Sequence, residues 1–385
     1  MTDRLAVARA TAQGLTTFAS QASNTPVMLG FDGFVDSIIR VVAKRHDKDH
    51  YEPLATIAEF GQRIAAAAGQ SANFELVTRQ RKLGGNGPIM ANALAQIGLP
   101  VTYIGALGAP QIDPVFQDFS SRATVHSILD MGATDALEFD DGKLMLGKIE
   151  HLGELDYPLI LKTIGQEKFT DIIQRSRLLA MLNWTMLPAM GTIFEALIDQ
   201  ILPAVGPDTQ AGPRIIFIDL ADPAKRTRED LLVALEQIVR MSRQARVILG
   251  MNLAESLQVA SALDIDVPAQ PVEGIEQIAT EVRKKLALHA VVVHPRTGAA
   301  AAVADERGDV QCSAFQGPFV RNPLLSTGAG DNFNAGFCLG CLADLNIQQA
   351  LCAGTAASGY YVRNGHSPTL AQLAEFCKQL PDPEN

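Results

Sequence analysis

Short apolar runs alternate along most of the chain with stretches whose apolar residues recur at helical spacing. The first run, Val27 to Phe31, predicts a buried strand. From Leu178 onward the alternation is regular. Predicted strands cover 178–184, 214–220, 246–251 and 290–294, and predicted helices cover 190–202, 227–243, 254–263 and 273–288. Strands and helices in turn indicate an α/β fold, with a mostly parallel sheet covered on both faces.

Polar side chains collect where these predicted strands end. They are Asp32, Asp36, Asn183, Asp219, Asp222, Asn252, Glu255 and His294. Ligands of parallel α/β sheets bind at the carboxyl ends of the strands. The pattern therefore predicts one polar site at this edge of the sheet.

Residues 124–153 depart from the alternation. Two short extended pieces, 136–139 and 143–146, are joined by Asp140, Asp141 and Gly142, and Asp-Gly between such pieces indicates a hairpin. With the extended segment 38–42 they predict a small separate sheet, which we interpret as a lid. We expect a single α/β domain over 1–385, with lid inserts at about 32–51 and 124–153.

The stretch Ser326 to Phe333 leads directly into an apolar helix and carries the most specific chemistry. Gly328, Ala329 and Gly330 offer backbone N–H groups with little side-chain bulk, at the positive end of that helix. Asp331 follows in the first turn, where a carboxylate can accept a proton from an attacking hydroxyl beside a bound phosphate. The alternative is a glycine turn with Asp331 as an ordinary helix cap.

Two further stretches precede predicted helices. Gly84, Gly85 and Asn86 stand before a helix that ends at Gly98, where a ligand can approach the backbone closely, although a plain loop fits as well. Asn252 and Glu255 stand one helical turn apart, a pair that can hold Mg²⁺ through water beside a phosphate. A capping box would look much the same.

Composition narrows the class of protein. The 385 residues carry a net charge of −10 and are 47% hydrophobic, which argues against nucleic acid or an anionic membrane as partner. Residues 1–20 lack the apolar core of a signal peptide. Five cysteines without disulfide-framework spacing suit a cytoplasmic location. Cys338 and Cys341, within the predicted apolar helix, are interpreted as buried hydrophobic residues and not as a redox pair.

Taken in order, these motifs resemble those of the ribokinase-like sugar and nucleoside kinases, the PfkB carbohydrate kinase family, over nearly the whole chain. Gly84 to Asn86 and Gly328 to Asp331 resemble the family's two signatures, and Asn252 to Glu255 resembles its Asn-x-x-Glu motif. The resemblance implies a three-layer α/β/α sandwich with a β-sheet lid. It also implies a kinase that transfers the γ-phosphoryl group of ATP to a small sugar, sugar derivative or nucleoside.

The resemblance assigns roles to particular residues. Asp331 would be the catalytic base, with Gly328, Ala329 and Gly330 as the anion hole. The resemblance assigns Asp36 to an acceptor hydroxyl, and we add Asp32, Gly85 and Asn86 as predicted acceptor-binding residues. Cofactor binding would fall to Asn252, Glu255, Gly298 and Thr327. Mg²⁺ would be held at Asn252 and Glu255, and a helix over 353–358 would wall the adenine. A monovalent cation and a homodimer formed through the lid are also compatible with the resemblance.

Three positions depart from the family pattern, namely Ile89, Pro295 and Leu325. Leu325 and Ile89 remove polar groups that the family usually has, whereas Asp32 and Asn86 add others. They leave open an acceptor other than ribose, fructose or adenosine.

Three other functions are alternatives to a sugar or nucleoside kinase. The first is a catalytically silent sugar-phosphate or nucleotide-binding regulatory protein of the same fold. The second is a dinucleotide-dependent oxidoreductase, which the missing Gly-x-Gly-x-x-Gly after the first strand disfavours. The third is a kinase that uses ADP as donor or a vitamin precursor as acceptor.

Overall fold

A nine-stranded sheet forms the centre of the larger of two structural parts. The computed structural model describes residues 3–210, 212–304 and 310–384. The strands are β1 (Val27–Phe31), β2 (Phe34–Arg45), β3 (Tyr51–Pro53), β4 (Leu76–Gly84), β5 (Val101–Gly105), β6 (Thr124–Ser127), β7 (Gly132–Phe139), β8 (Gly142–Lys148), β9 (Leu178–Leu182), β10 (Asp208–Thr209), β11 (Gly212–Pro213), β12 (Ile215–Asp219), β13 (Arg246–Met251), β14 (Ala290–Val293), β15 (Gly298–Ala304) and β16 (Val310–Gln316).

The helices fill the connections between these strands. They are α1 (Arg4–Ala22), α2 (Ile57–Ala66), α3 (Asn86–Ile97), α4 (Gln117–Ser120), α5 (Tyr157–Ile164), α6 (Gln166–Arg175), α7 (Met190–Ala196), α8 (Leu202–Val205), α9 (Arg228–Met241), α10 (Leu253–Ala262), α11 (Ile275–Leu286), α12 (Ala329–Leu342), α13 (Ile347–Asn364) and α14 (Leu370–Lys378). Across the described ranges, no helix is both long enough and apolar enough to cross a membrane.

The large sheet has the strand order β16-β15-β14-β13-β12-β9-β1-β5-β6. Pairing is parallel from β14 through β6, as the sequence predicts. β15 and β16 extend the sheet in the antiparallel sense, an edge that the sequence did not predict. The α/β fold with a mostly parallel sheet is therefore confirmed.

Two hydrophobic clusters cover the two faces of this sheet. Because side chains alternate along a strand, Met28 belongs to one cluster, while Val27 and Leu29 belong to the other. Helices α5 to α11 bury residues in the first cluster, and α1, α3, α12, α13 and α14 bury residues in the second. This arrangement gives three layers, helix on sheet on helix, and it places α3 and α12 on the same face.

A second sheet of five strands stands apart from the main one. β2 pairs with β3 and β4 in the antiparallel sense and with β7 in the parallel sense, and β7 and β8 form the predicted hairpin. This lid sheet has a hydrophobic cluster of its own. The cluster consists of Ile39, Val41, Leu54, Phe60, Leu137 and Phe139.

Two details of the predicted lid are wrong. Residues 124–127 form β6, which pairs with β5 at the edge of the main sheet, so the second lid segment begins after them. β4 belongs to the lid and was not predicted, because its residues are mostly charged or polar and largely exposed. β4 leads directly into α3 through Gly84 and Gly85.

The separate cluster predicts that the lid opens locally. Phe60 packs on Phe74 and Phe139, at ring-centroid distances of 5.3 and 5.6 Å. We expect Phe60→Ala to accelerate amide hydrogen exchange in β2 and β7 while leaving the main sheet protected. The matched control is Leu351→Ala in the main core, which should destabilise the whole protein by about 2–5 kcal/mol. Equal exchange changes in both sheets for Phe60→Ala would contradict a separate lid unit.

Candidate active site

The first turn of α12 follows a glycine and has no side-chain cap. Gly328 precedes the helix with φ 88° and no side chain caps the helix N-terminus, so N–H groups of its first turn remain available to a ligand. A Cβ on Gly328 would lie 3.0 Å from the Tyr361 hydroxyl and 3.2 Å from Ile89, so both backbone conformation and space require glycine. Tyr361 donates to the carbonyl of Thr327 at 2.9 Å and holds this turn.

The other two predicted anion-hole residues differ from each other. Ala329 donates its N–H to the carbonyl of Ser326 at 3.2 Å, so this donor is already engaged within the turn. A Cβ on Gly330 would meet only a ring carbon of His294, at 3.5 Å. Packing therefore does not require glycine at position 330. The missing side chain leaves the backbone of Gly330 accessible to a ligand.

Asp331 is buried in the first turn of α12, and its partner comes from the other predicted signature. Asn86 donates its side-chain N–H to Asp331 Oδ1 at 2.9 Å, across 245 residues of sequence. No hydrogen bond to Asp331 Oδ2 is formed within the described ranges. Burial and the negative charge of Asp219 hold the pKa of Asp331 well above its usual range, and the Asn86 hydrogen bond lowers it.

Asp32 is fully buried and surrounded by donors. Its carboxylate accepts the N–H groups of Asn86 at 3.0 Å and Gly87 at 2.8 Å, and the side chain of Asn183 at 2.7 Å. Burial raises the pKa of Asp32 to about 6 despite these donors. The backbone bonds tie β1 to the start of α3, whose positive end faces the carboxylate.

Asp219 and Glu255 complete a group of carboxylates at the carboxyl edge of the sheet. Burial raises the pKa of Asp219 to about 6, and burial together with Asp219 raises the pKa of Glu255 to about 8. No lysine or arginine of the described ranges forms an ion pair with Asp32, Asp219, Glu255 or Asp331. The four therefore form an acidic group that lacks a positive partner.

Asn252 and Glu255 form a capping box at the start of α10. Asn252 Oδ1 accepts the N–H of Glu255 at 3.0 Å, and Glu255 Oε2 accepts the N–H of Asn252 at 2.8 Å. Glu255 Oε1 accepts the N–H of Asp222 at 3.1 Å. Among the described residues, no three His, Cys, Asp or Glu side chains are grouped as direct ligands of one metal ion. A cation held here through water stays a prediction from the sequence.

A cavity of about 420 Å³ connects most of the predicted residues. Its lining includes Asn86, Asn252, Glu255, Gly298, Gly328, Ala329, Gly330 and Asp331. Thr355, Ser358 and Val362 of α13 line the same cavity. Asp32, Asp36, Gly85 and Thr327 are not part of its lining. Asp36 lies in β2 beneath Gly84, where a Cβ would approach its carboxylate to 2.6 Å.

Further polar residues of the site had no role assigned from the sequence. Asp219 and His294 line the cavity, and both belong to the group of polar residues that the sequence places at the strand ends. Asn334 donates to Asp219 Oδ2 at 2.7 Å. The signal for Asn334 is a polar residue three positions after Asp331, in a helix that is apolar except for Asp331, Asn332 and Asn334. His294 stacks on Phe333 with ring centroids 4.4 Å apart, and burial lowers its pKa to about 4, so its ring is neutral near pH 7.

The chain combines an α/β/α sandwich, a β-sheet lid and a cavity that joins two glycine-rich helix starts. This combination is typical of the ribokinase-like carbohydrate kinases. Solved structures share this fold. Arabidopsis thaliana ribokinase complexed with ribose and ATP has a TM-score of 0.63 at 15% identity, over 92% of this chain and 99% of that chain. Phosphofructokinase-2 from Escherichia coli has a TM-score of 0.61 at 14% identity, over 93% and 99%.

Sequence comparison narrows the class further. The model of the family described as prokaryotic ketohexokinase matches residues 4–380, so the chain belongs to that family. A ketohexokinase of Haloferax volcanii is 27% identical over 361 residues, which are 92% of this chain and 92% of the relative. The sequence-based prediction of a ribokinase-like carbohydrate kinase is confirmed.

The acidic group predicts how stability depends on pH. Carboxyl groups of the unfolded chain have pKa values near 4, whereas those of folded Asp219 and Glu255 are about 6 and about 8. The folded protein keeps protons that the unfolded chain releases. Its stability should therefore fall as pH rises from about 4 to about 8, by on the order of 3 kcal/mol for a group such as Asp219.

Asp219→Asn should flatten this dependence without unfolding the protein. No described residue donates a hydrogen bond to the buried Asn334 Oδ1, so rotation of the Asn334 amide lets this oxygen accept from the new asparagine. The measurement is the melting temperature of both proteins from pH 5 to 8 with a chelator present. An unchanged slope in the variant would contradict the assigned repulsion.

Proposed function

We propose that this protein transfers the γ-phosphoryl group of ATP to a hydroxyl of a ketohexose, with Asp331 as the catalytic base. Membership of the prokaryotic ketohexokinase family and the name of the Haloferax volcanii relative support the acceptor class. Fructose is therefore the first acceptor to test. Ile89 and Leu325 depart from the family pattern, so the sequence motifs alone did not identify the acceptor.

One observation carries the proposal. The Asp331 carboxylate lies in the same cavity as an uncapped helix N-terminus, with one oxygen held by Asn86 and the other free of hydrogen bonds to the described residues. A phosphate bound at the N-terminus of α12 would have this carboxylate beside it. The free oxygen would accept the proton of the acceptor hydroxyl as that hydroxyl attacks the phosphorus.

The acidic group supports a requirement for a divalent cation. A triphosphate would add negative charge to a cavity that Asp219, Glu255 and Asp331 already line. Hydrated Mg²⁺ fits beside Asn252, Glu255 and Asp219, because carboxylate and amide oxygens are its preferred protein partners. When bound, Mg²⁺ would neutralise charge on the transferred phosphoryl group. The Gly330 backbone would add the dipole of its N–H group.

Residues that line the cavity, and Asp36 outside its lining, suggest where each substrate binds. Gly298, Thr355, Ser358 and Val362 line the part of the cavity that we assign to the nucleotide base. Asp36 would bind an acceptor hydroxyl below the lid. Burial raises the pKa of Tyr361, and the negative charges of Asp331 and Asp36 raise it further, which supports an Asp36 carboxylate on the same side of the site as Asp331. A homodimer through the lid and a monovalent cation stay predictions.

The test is a coupled assay of ADP release with ketohexoses, aldoses and nucleosides as acceptors, run with ATP and separately with ADP as donor. We expect turnover with ATP, Mg²⁺ and a ketohexose. Thermal stabilisation by ATP and sugar without any ADP would establish the regulatory protein instead. Turnover with ADP alone would change the donor but keep the reaction class.

Asp331→Asn separates a catalytic base from a helix cap. The asparagine keeps an oxygen that can accept from Asn86, so the fold of the turn should survive. Loss of the proton acceptor should lower kcat by about a hundred- to ten-thousand-fold. ATP affinity should hold or increase, because the carboxylate no longer repels the triphosphate.

The measurements for this variant are kcat, ATP affinity and melting temperature. Asp382→Asn is the control, since Asp382 is a surface carboxylate whose side chain is 93% exposed. Wild-type turnover in Asp331→Asn would refute the mechanism. Loss of ATP binding together with turnover would indicate a collapsed loop.

Asp36→Ala tests the acceptor side. Asp36 faces Lys82 across the β2–β4 ladder, a cationic neighbour that partly offsets the rise of its pKa caused by burial. We expect the KM for the acceptor to rise about tenfold or more, and the KM for ATP to change little, because a buried hydrogen bond to a charged group is worth about 1.5–3 kcal/mol. Two unchanged Michaelis constants would leave Asp36 with a structural role only.

A further inference from the structure

Asn86 and Asp331 come from the two signatures and meet in the cavity. The Asn86 side chain is the hydrogen-bond donor that the structure provides for the Asp331 carboxylate, at 2.9 Å. Both residues line the cavity. The sequence alone predicted Asn86 to bind the acceptor, whereas in the structure its amide nitrogen donates one hydrogen bond to the Asp331 carboxylate.

We propose that Asn86 is a positioning residue that holds Asp331 Oδ1 and so directs Oδ2 at the acceptor, and that Asp32 fixes Asn86 in place. This proposal rests on the function proposed above. It also reassigns Asp32 and Asn86, which the sequence predicted as acceptor ligands.

The surroundings of Asp32 support an anchoring role. Its side chain is 0% exposed and absent from the cavity lining. Its two carboxylate oxygens accept three N–H groups, from Asn86, Gly87 and Asn183. Because Asp32 is fully buried outside the cavity lining, a substrate hydroxyl bound in the cavity would not reach it in this structure. Asp32 therefore holds the first turn of α3, and with it the position of Asn86.

The lid is joined to Asn86 through one residue. β4 ends at Gly84, and Gly85 has φ 90°, where a Cβ would lie 2.9 Å from Asp32 Oδ2. The chain therefore passes from the lid over Asp32 and directly into Asn86. An acceptor that moved β4 would therefore also move the donor that holds Asp331. This coupling would favour phosphoryl transfer only when an acceptor is enclosed.

The groups around Asp331 determine what loss of Asn86 should do. Asp219 from β12, Asp32 after β1 and Glu255 from α10 each raise the pKa of Asp331, and Asn86 from α3 lowers it. His294 after β14 and Tyr361 from α13 are uncharged near pH 7. Removing the amide takes away a donor to the charged carboxylate, so the pKa of Asp331 should rise.

The experiment compares Asn86→Ala and Asn86→Asp with the wild type and with Asn92→Ala. Asn92 lies on the same helix and accepts from Arg122 at the surface, at 2.8 Å. For Asn86→Ala we expect kcat to fall about ten- to a hundred-fold while the acceptor KM stays within about threefold. The acid limb of the kcat/KM profile should move to higher pH, further for Asn86→Asp because a second carboxylate then adjoins the base.

Asn92→Ala should match the wild type in every respect. An unmoved acid limb in Asn86→Ala, with an acceptor KM raised tenfold or more, would overturn the proposal and make Asn86 a substrate ligand. Melting temperatures of both Asn86 variants show whether they fold.

A second readout does not depend on turnover. The pKa of Asp331 can be measured from carboxyl chemical shifts of ¹³C-labelled aspartate, with Asp331→Asn for assignment. A higher pKa of Asp331 in Asn86→Ala supports the positioning role, and an equal one overturns it, even where the wild type releases no ADP from any sugar. Absence of ADP release from the wild type would count against the proposed function alone.

Discussion

The burial of several carboxylates at one edge of the sheet is the constraint on which the site depends. Asp32, Asp219, Glu255 and Asp331 are all buried, and each has a raised pKa because burial disfavours its charged form. Like charges close together increase the cost. Such a group persists in a folded protein only where hydrogen bonds hold each carboxylate in place.

The fold provides those hydrogen bonds from backbone and amide groups. Asp32 accepts from the start of α3, Glu255 from the backbone of Asn252 and Asp222, and Asp219 from Ala221 and Asn334. This arrangement follows from the parallel sheet, because the carboxyl ends of its strands and the N-termini of the following helices lie at the same edge. The partial positive charge of those helix ends offsets part of the repulsion without a positive side chain. A bound cation and a nucleotide can then enter a site that is already arranged.

The sequence could predict the elements where hydrophobic pattern determines them. β9, β12, β13 and β14 are continuous apolar runs, and only a sheet buried on both faces accommodates them. β15 was missed because Gly298–Ala304 is dominated by alanine, which has low strand propensity. β4 was missed because its charged residues stay largely exposed. β6 was placed in the wrong sheet because its short polar stretch is compatible with an edge position in either sheet. Pairing between strands depends on partners that local pattern does not reveal.

For the site as well, the sequence predicted local features but not contacts between residues that are distant along the chain. Helix starts, glycine turns and the Asn252–Glu255 spacing are local, so the sequence located them. The contact of Asn86 with Asp331 spans 245 residues and follows only from α3 and α12 packing on the same face. Local reasoning could therefore name Asn86 as a polar group near a ligand but could not identify what it touches.

Glu255 illustrates why a capping box and a metal motif are not rival descriptions. Both of its carboxylate oxygens accept backbone N–H groups, so the side chain is held by geometry whether or not it is ionised. A carboxylate with pKa about 8 is largely protonated near pH 7, and only a nearby cation would favour its charged form. The cap keeps the side chain in position before any cation arrives. Folding has then already ordered the Glu255 side chain. The affinity for a hydrated cation is limited mainly by the free energy of removing the proton from Glu255.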